Sequence, residues 1–584
     1  MIKQALLIGL LVLTACRPRP NAAQLQALFD EAWKFQLAEN PLFATSAGVN
    51  DFNDRLPSVS LPDQQRRAEF YRSALHRLDK LDISSLSDEN RLNAAIFRSQ
   101  LEDALSEFEH QSFLIPITVD SGFHIEFARL PQQVPLHTVH DYENYIRRLQ
   151  AFSAYAQQNI QLMKRGIEAG ITLPRVVLEG YEATVRSQVV NNPEQSGFAA
   201  PFRNFPDTMP SSERDRLRAA GEAAIRESVL PGYRTFLDFL LQEYIPKSRL
   251  TIAVSDLPKG LDYYAYLVRH FTTLPLTAEE VHQTGLAEVR RIRAEMDDVI
   301  QKTGFSGSFA DFLKFLRTDA RFYAKSPEEL LKEAAFIAKR MDGKLPSLFK
   351  TLPRLPYGIQ PVPDDLAPKF TGGRYVDAPI GGTQPGYYWV NTYALHNRPL
   401  YVLEALTLHE AVPGHHLQIA LQQELKGLPD FRRFAGAVAF VEGWALYSEW
   451  LGVEAGFYTD PYSQFGRLTY EMWRACRLVV DTGIHAMSWT RGKAMDFLAS
   501  NTALSLHEVK TETDRYIASP GQALAYKIGE LKIRQLRKEA EQALGESFDV
   551  REFHDVVLRG GAIPLGALER QVRSYVERAR KASP

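Results

Sequence analysis

From Leu25 onward apolar residues recur with a period close to 3.6: Leu25, Leu28, Phe29, Trp33 and Phe35 fall on one helical face. The same pattern predicts amphipathic helices over 61–81, 89–108, 139–169, 211–244, 277–303, 308–316 and 327–352. Asp, Ser or Thr stands at or near many of their starts, where a side-chain oxygen can accept a bond from a free backbone N–H. The pattern breaks between Leu352 and Pro399. Pro353, Pro356, Pro361, Pro363, Pro368, Pro379, Pro385 and Pro399 interrupt any helix, and Gly372-Gly373 and Gly381-Gly382 favour turns. Within that stretch the run Tyr387 to Tyr393 is rich in strand formers and predicts a strand. Helical pattern resumes at Leu400 and continues, with breaks, to Ala579. The expected plan is mainly α: a helical half over 25–350, a Pro/Gly-rich β-containing segment over 351–399, and a helical half over 400–584 that carries the chemistry.

The first residues read differently. Lys3 gives a positive start, Ala5 to Leu13 form a short apolar run, and Leu13-Thr14-Ala15-Cys16 follows. The run is too short to span a bilayer of about 30 Å and has the layout of a secretion signal. Residues 1–15 are therefore expected to be a lipoprotein signal, with Cys16 lipidated and 16–24 a tether to the membrane. Arg17 follows the Cys, so the expected destination is the outer membrane, facing the periplasm. Lipidation would leave Cys476 as the only thiol, excluding an intrachain disulfide. With 68 basic and 70 acidic residues and no long single-sign run, the chain lacks the basic stripe of a nucleic-acid binder.

The segment "LTLHEAVPGHHLQIA" carries the candidate chemistry. In the familiar zinc-peptidase arrangement two His lie four apart on one helix face, and a Glu between them serves as general base. Here the fourth residue after His409 is Pro413, and the next imidazoles are His415 and His416. On an unbroken helix His416 would return to the face of His409 about 10 Å further along, too far for two ligands of one ion at ~2.0–2.1 Å. If Pro413-Gly414 opens a bulge, His415 takes the fourth-residue place, and it is the preferred ligand. A third ligand is expected from Glu442 in "FVEGWALYSEW"; Glu449 is the rival, or a partner that orients a His.

"HEAVPGHHLQ", "EGWALYSEW", "PGYYWVNTY", "RLVVDTGIHA" and "ETDRYIASPGQALAYKIG" together resemble the bacterial family known as domain of unknown function 885. The resemblance runs from about Leu25 to about Arg578. It implies a helical, zincin-like peptidase fold with a deep cleft, related in layout to angiotensin-converting enzyme and the oligopeptidases. In the family pattern the first His after Pro-Gly is the regular one, which favours His415.

Other residues extend the expectation. A peptidase needs a donor for the tetrahedral oxyanion. His485, in an apolar helix beginning near Leu478, is one candidate, with a core His bonded to a backbone carbonyl as the equal alternative. Tyr526 is the preferred donor, by analogy with the C-terminal Tyr of the oligopeptidases. Arg515 could hold a substrate carboxylate or pair with an acid of the fold, and Tyr516 lies beside it. The strand before the metal helix is expected to bind extended substrate, with Asn391 and Tyr393 at the cleft. The combined expectation is a peptide-hydrolysing enzyme with one zinc ion held by His409, His415 and Glu442, and Glu410 as base. Alternatives are a zinc amidohydrolase of cell-wall or other non-peptide amides, an inactive peptide-binding lipoprotein, and metal storage.

Overall fold

The computed structural model describes residues 20–582 except 365, 379–383 and 435. Cys16, Pro379 and Gly381-Gly382 lie outside the described residues. The mainly α expectation holds: helices fill both halves, and one small sheet stands between them. Several predicted helices appear within a residue or two, among them Leu61–Asp79, Asp88–Glu109 and Val139–Ala169. Their ends follow the expected chemistry. Thr138 and Asp141 form a capping box, and Gly170 closes the same helix with a left-handed residue. No described helix is long and apolar enough to cross a membrane.

Ten elements position the site: α1 (Ala278–Thr303), β1 (Tyr357–Pro361), β2 (Gly373–Val376), β3 (Gly386–Val390), α2 (Leu403–Glu410), α3 (His415–Glu424), α4 (Val438–Glu454), α5 (Pro461–Ala486), α6 (Leu506–Ala518) and α7 (Ala525–Leu544). The sheet order is β1-β3-β2, with β3 parallel to β1 and antiparallel to β2. The predicted strand is thus the central one and ends at Val390. Paired on both sides, it has no free edge for substrate, and β2 is the edge strand beside α2. β1 and β2 went unread because proline and glycine around them mask the strand pattern.

Helix α5 is the spine. Every residue from Phe465 to His485 is buried, although Arg467, Glu471, Arg474, Arg477, Asp481 and His485 are among them. Burial of so many polar groups is tolerable only if they are partnered. Lys527 of α7, fully buried, meets Glu288 of α1 at 3.0 Å and Glu471 of α5 and Glu530 at 2.8 Å each; Arg467 closes on Glu471 at 2.7 Å. The helix begins at Pro461, in the first turn where a missing N–H does no harm, not near Leu478 as periodicity suggested.

Helices α4 and α7 cross in backbone contact. A Cβ on Gly529 would stand 1.8 Å from the Ala439 carbonyl oxygen, and one on Gly443 2.5 Å from the Gly529 backbone. These two glycines set the separation of the helices that carry Glu442 and Tyr526.

Candidate metal centre

α2 ends at Glu410, and α3 restarts at His415 after a cis Val412-Pro413 bond. The intervening loop folds back on the helix end. Gly414 N–H donates to the Leu408 carbonyl at 3.0 Å, and Trp444 Nε1 donates to the Pro413 carbonyl at 2.8 Å. A Cβ at position 414 would lie 1.9 Å from the His409 carbonyl oxygen, so glycine is required there. The interruption removes the extra residues from the helical count, and the rings of His409 and His415 come within 4.8 Å of each other at 90°.

Nε2 of His409 and Nε2 of His415 face the same Glu442 oxygen, Oε2, at 3.6 and 3.4 Å. One ligand atom from each of the three residues lies within 4.8 Å of the others. Those imidazole–carboxylate separations are long for hydrogen bonds. They suit tetrahedral ligands of one ion, which stand ~3.3 Å apart when each bond is ~2.0–2.1 Å. Glu442 Oε2 and His415 Nδ1 are buried and have no hydrogen-bond partner among described residues. An orphaned carboxylate oxygen aimed at two imidazoles is a donor set that a divalent cation would complete.

Glu449 takes the orienting place. Its Oε1 meets His409 Nδ1 at 2.7 Å and Arg474 Nη2 at 3.3 Å, and the Tyr458 hydroxyl donates to its carbonyl at 2.7 Å. A carboxylate behind a ligating His fixes the ring and raises its basicity. Burial disfavours charge on His409, but the carboxylates of Glu442, Glu449 and Glu410 around it outweigh this, lifting its pKa to about 9. Burial would raise the Glu442 carboxyl, yet the two imidazoles hold it well below the usual carboxylate range.

Glu410 follows His409 at the helix end and is also buried. Its Oε2 accepts the Tyr375 backbone N–H of β2 at 2.7 Å, so the edge strand anchors one oxygen and leaves the other for chemistry. His416 turns away. Its Nδ1 meets the Tyr375 hydroxyl at 3.0 Å, its ring packs 4.6 Å from Tyr357, and burial lowers its pKa to about 4. His415→Ala should therefore abolish stoichiometric metal binding while His416→Ala keeps it, as read by metal content after dialysis. The reverse ranking would exclude this ligand set.

A family model described as bacterial protein of unknown function, DUF885, matches residues 41–572, nearly the whole described chain. The chain belongs to the DUF885 family. Among solved structures, a protein from Colwellia psychrerythraea, provisionally described as a lipoprotein, is similar at 30% identity with a TM-score of 0.90, covering 96% of this chain and 100% of its own. Another from Shewanella oneidensis, provisionally described as a lipoprotein of unknown function, shares the fold at 16% identity and a TM-score of 0.72, covering 94% of this chain and 99% of its own. No curated protein matches.

Of the residues expected around the centre of this DUF885 chain, Tyr526 opens α7, which packs in backbone contact with α4. Burial and then the charge of Glu442 raise its hydroxyl pKa, while the Arg477 guanidinium lies 4.3 Å over its ring. Arg515 Nη1 donates to Gln522 Oε1 at 2.7 Å.

The fold engages four of the expected side chains elsewhere. His485 is fully buried, with Nδ1 accepting the Val254 N–H and Nε2 on the Tyr516 carbonyl, both at 3.0 Å; with both nitrogens engaged it has no donor for substrate. Arg515 grips Glu512 through Nε at 3.1 Å and Nη2 at 2.8 Å, so it braces α6 and the following turn rather than offering a fork to a ligand. The buried Tyr516 hydroxyl donates to Glu512 at 2.7 Å and accepts from Trp473 and Arg477 at 2.8 and 2.9 Å. Asn391 Nδ2 donates to the carbonyls of Ala367, Phe370 and Thr371, and its Oδ1 accepts the Tyr393 N–H, clasping a loop. Tyr393, 51% exposed, lies beyond β3.

Asp481 fixes the turn that leads to Tyr526. Buried on α5, it accepts the Tyr264 hydroxyl at 2.6 Å and the Gly521 N–H at 3.0 and 3.1 Å. Burial pushes its carboxyl up to about 7 against those two bonds. Between the usual aspartate value of about 4 and 7 the folded chain keeps a proton that the unfolded chain has lost. This contribution to stability is complete below about pH 4 and fades as pH rises through 7. The melting-temperature difference between Asp481→Asn and the parent should therefore change between about pH 5 and about pH 8. A pH-independent difference would exclude titration of Asp481 in that window.

Proposed function

We propose that this chain is a zinc-dependent peptidase. The observation that carries the reading is the orphaned Glu442 oxygen facing His409 and His415, with Glu410 beside them and one of its oxygens uncommitted. A bound zinc ion would supply Lewis acidity towards a substrate carbonyl and make a water acidic enough to ionise near neutral pH. Glu410, with one oxygen free, would serve as the base that holds the proton of the attacking water and passes it to the departing amine. Tyr526 donates its hydroxyl proton in a hydrogen bond to the oxygen where negative charge gathers. Glu449 and Arg474 hold the His409 ring in register. A storage role fits less well, because one ligand set backed by an orienting carboxylate and an adjacent base suits turnover.

We also propose that the chain is lipid-anchored through Cys16 in the cell envelope, at the outer membrane and facing the periplasm. The Leu13-Thr14-Ala15-Cys16 string and the likeness to the Colwellia protein support this. The deciding experiment measures cleavage of mixed short peptides by zinc-loaded protein. Hydrolysis should vanish with a chelator and return with zinc. Chelator-resistant hydrolysis, or turnover of cell-wall amides alone, would sink the peptidase reading.

A further inference from the structure

A cavity of about 220 Å³ is walled by elements that also position the metal centre. Leu403 and Leu406 come from α2, Gly372 leads into β2, Val390 ends β3, and Thr469 and Tyr470 come from α5. Most of this lining is apolar or aromatic. Arg317, His396 and Arg398 also line it, and Glu508, in the first turn of α6, is its one carboxylate, partly shielded from solvent.

The Glu508 carboxylate accepts no hydrogen bond and joins no ion pair among the described residues, although cations surround it. Each neighbour bonds elsewhere, with Arg474 Nε and Arg477 Nη1 left without a partner among the described residues. Arg317 donates to the carbonyls of Leu504 and Thr502 at 3.0 and 2.8 Å, and Arg398 to those of Tyr393 and Phe370 at 3.4 and 3.3 Å. Arg474 holds Glu449, and Arg477 holds Glu512 at 3.0 Å. Burial raises the Glu508 pKa to about 7 despite the fields of Arg398, Arg474 and Arg477. A carboxylate partly shielded from water and without a donor of its own gains from a ligand that supplies one. The rings of Tyr401 and Tyr470 in the same wall suit a cation as well.

We infer that this cavity is a substrate subsite in which Glu508 receives a primary ammonium group of the peptide. The inference rests on the peptidase reading and narrows its substrates to peptides that place a positive charge close to the scissile bond. The ammonium comes either from the peptide's own N-terminus or from a lysine side chain, and both offer Glu508 the same N–H donors.

Calorimetric titration of the zinc-loaded Glu410→Gln protein separates these sources without turnover. One pair of probes is tetra-alanine and its N-acetyl form. The other is N-acetylated alanine tetrapeptides carrying lysine or norleucine. One cationic member should bind about tenfold tighter than its neutral partner or better. Adding Glu508→Gln should erase that preference and leave neutral peptides unchanged. Leu506→Trp, at an exposed position of the lining, should weaken the same preference by narrowing the mouth. Equal binding within both pairs, binding by no peptide, or a preference that survives both substitutions overturns the inference. A Glu508-dependent preference in a wild-type protein that cleaves no peptide would instead overturn the hydrolase reading and leave the ammonium site standing.

Discussion

Glutamine at position 410 is expected to leave the zinc content of the protein unchanged and to lower peptide hydrolysis by about 10²–10⁴-fold. The reason lies in the division of labour between the two Glu410 oxygens. One accepts the Tyr375 N–H of the edge strand at 2.7 Å, a bond that a glutamine oxygen can keep. The other must take a proton, which an amide cannot do. His409, His415 and Glu442 are untouched, so the metal complement reports that the site is intact. Elemental analysis beside kcat checks both halves of the expectation. A Glu410→Gln protein with full zinc and near-normal turnover would remove Glu410 from the chemistry.

Gly529→Ala should be the most disruptive single methyl that can be added near the centre. Its Cβ would stand 1.8 Å from the Ala439 oxygen and 2.8 Å from Gly443 Cα, and a Cβ has no rotamer by which to escape. The only relief is to part α4 from α7. Overpacking of this kind typically costs about 1–3 kcal/mol, occasionally more. Because α4 carries Glu442 and α7 carries Tyr526, the separation should also loosen the third ligand, with zinc affinity falling about tenfold or more. Gly566→Ala is the control, since nothing lies within 4 Å of a Cβ there. Thermal melting and zinc titration of both variants check this. An unchanged Gly529→Ala protein would refute the crossing as the determinant of the site.

The helices, the strand at β3 and the convergence of His409, His415 and Glu442 could be read from periodicity and motif spacing, because each has a local cause. The bulge at Pro413-Gly414 is such a case, where two residue types announce a break. The oxyanion and substrate assignments were harder. His485 looked functional because a polar group in an apolar helix demands a partner, and Arg515 and Tyr516 because they precede the Pro520-Gly521 turn; the partners include backbone groups for His485 and Glu512 for the other two. Periodicity reports that a polar residue is buried, but not what it touches across the fold. Arg474, Arg477 and Tyr375 went unread for the same reason. A fair signal did exist for Gly443 and Gly529, since each interrupts a strongly helical run where alanine would be the easier residue.

The bond from Tyr375 to Glu410 ties the proposed acid–base group to a short outer ribbon of the sheet. Any extended chain that settled along that ribbon and drew it outward would drag the carboxylate along. The proton acceptor would then be aligned by the act of docking, so poorly seated chains would survive contact with the metal uncut.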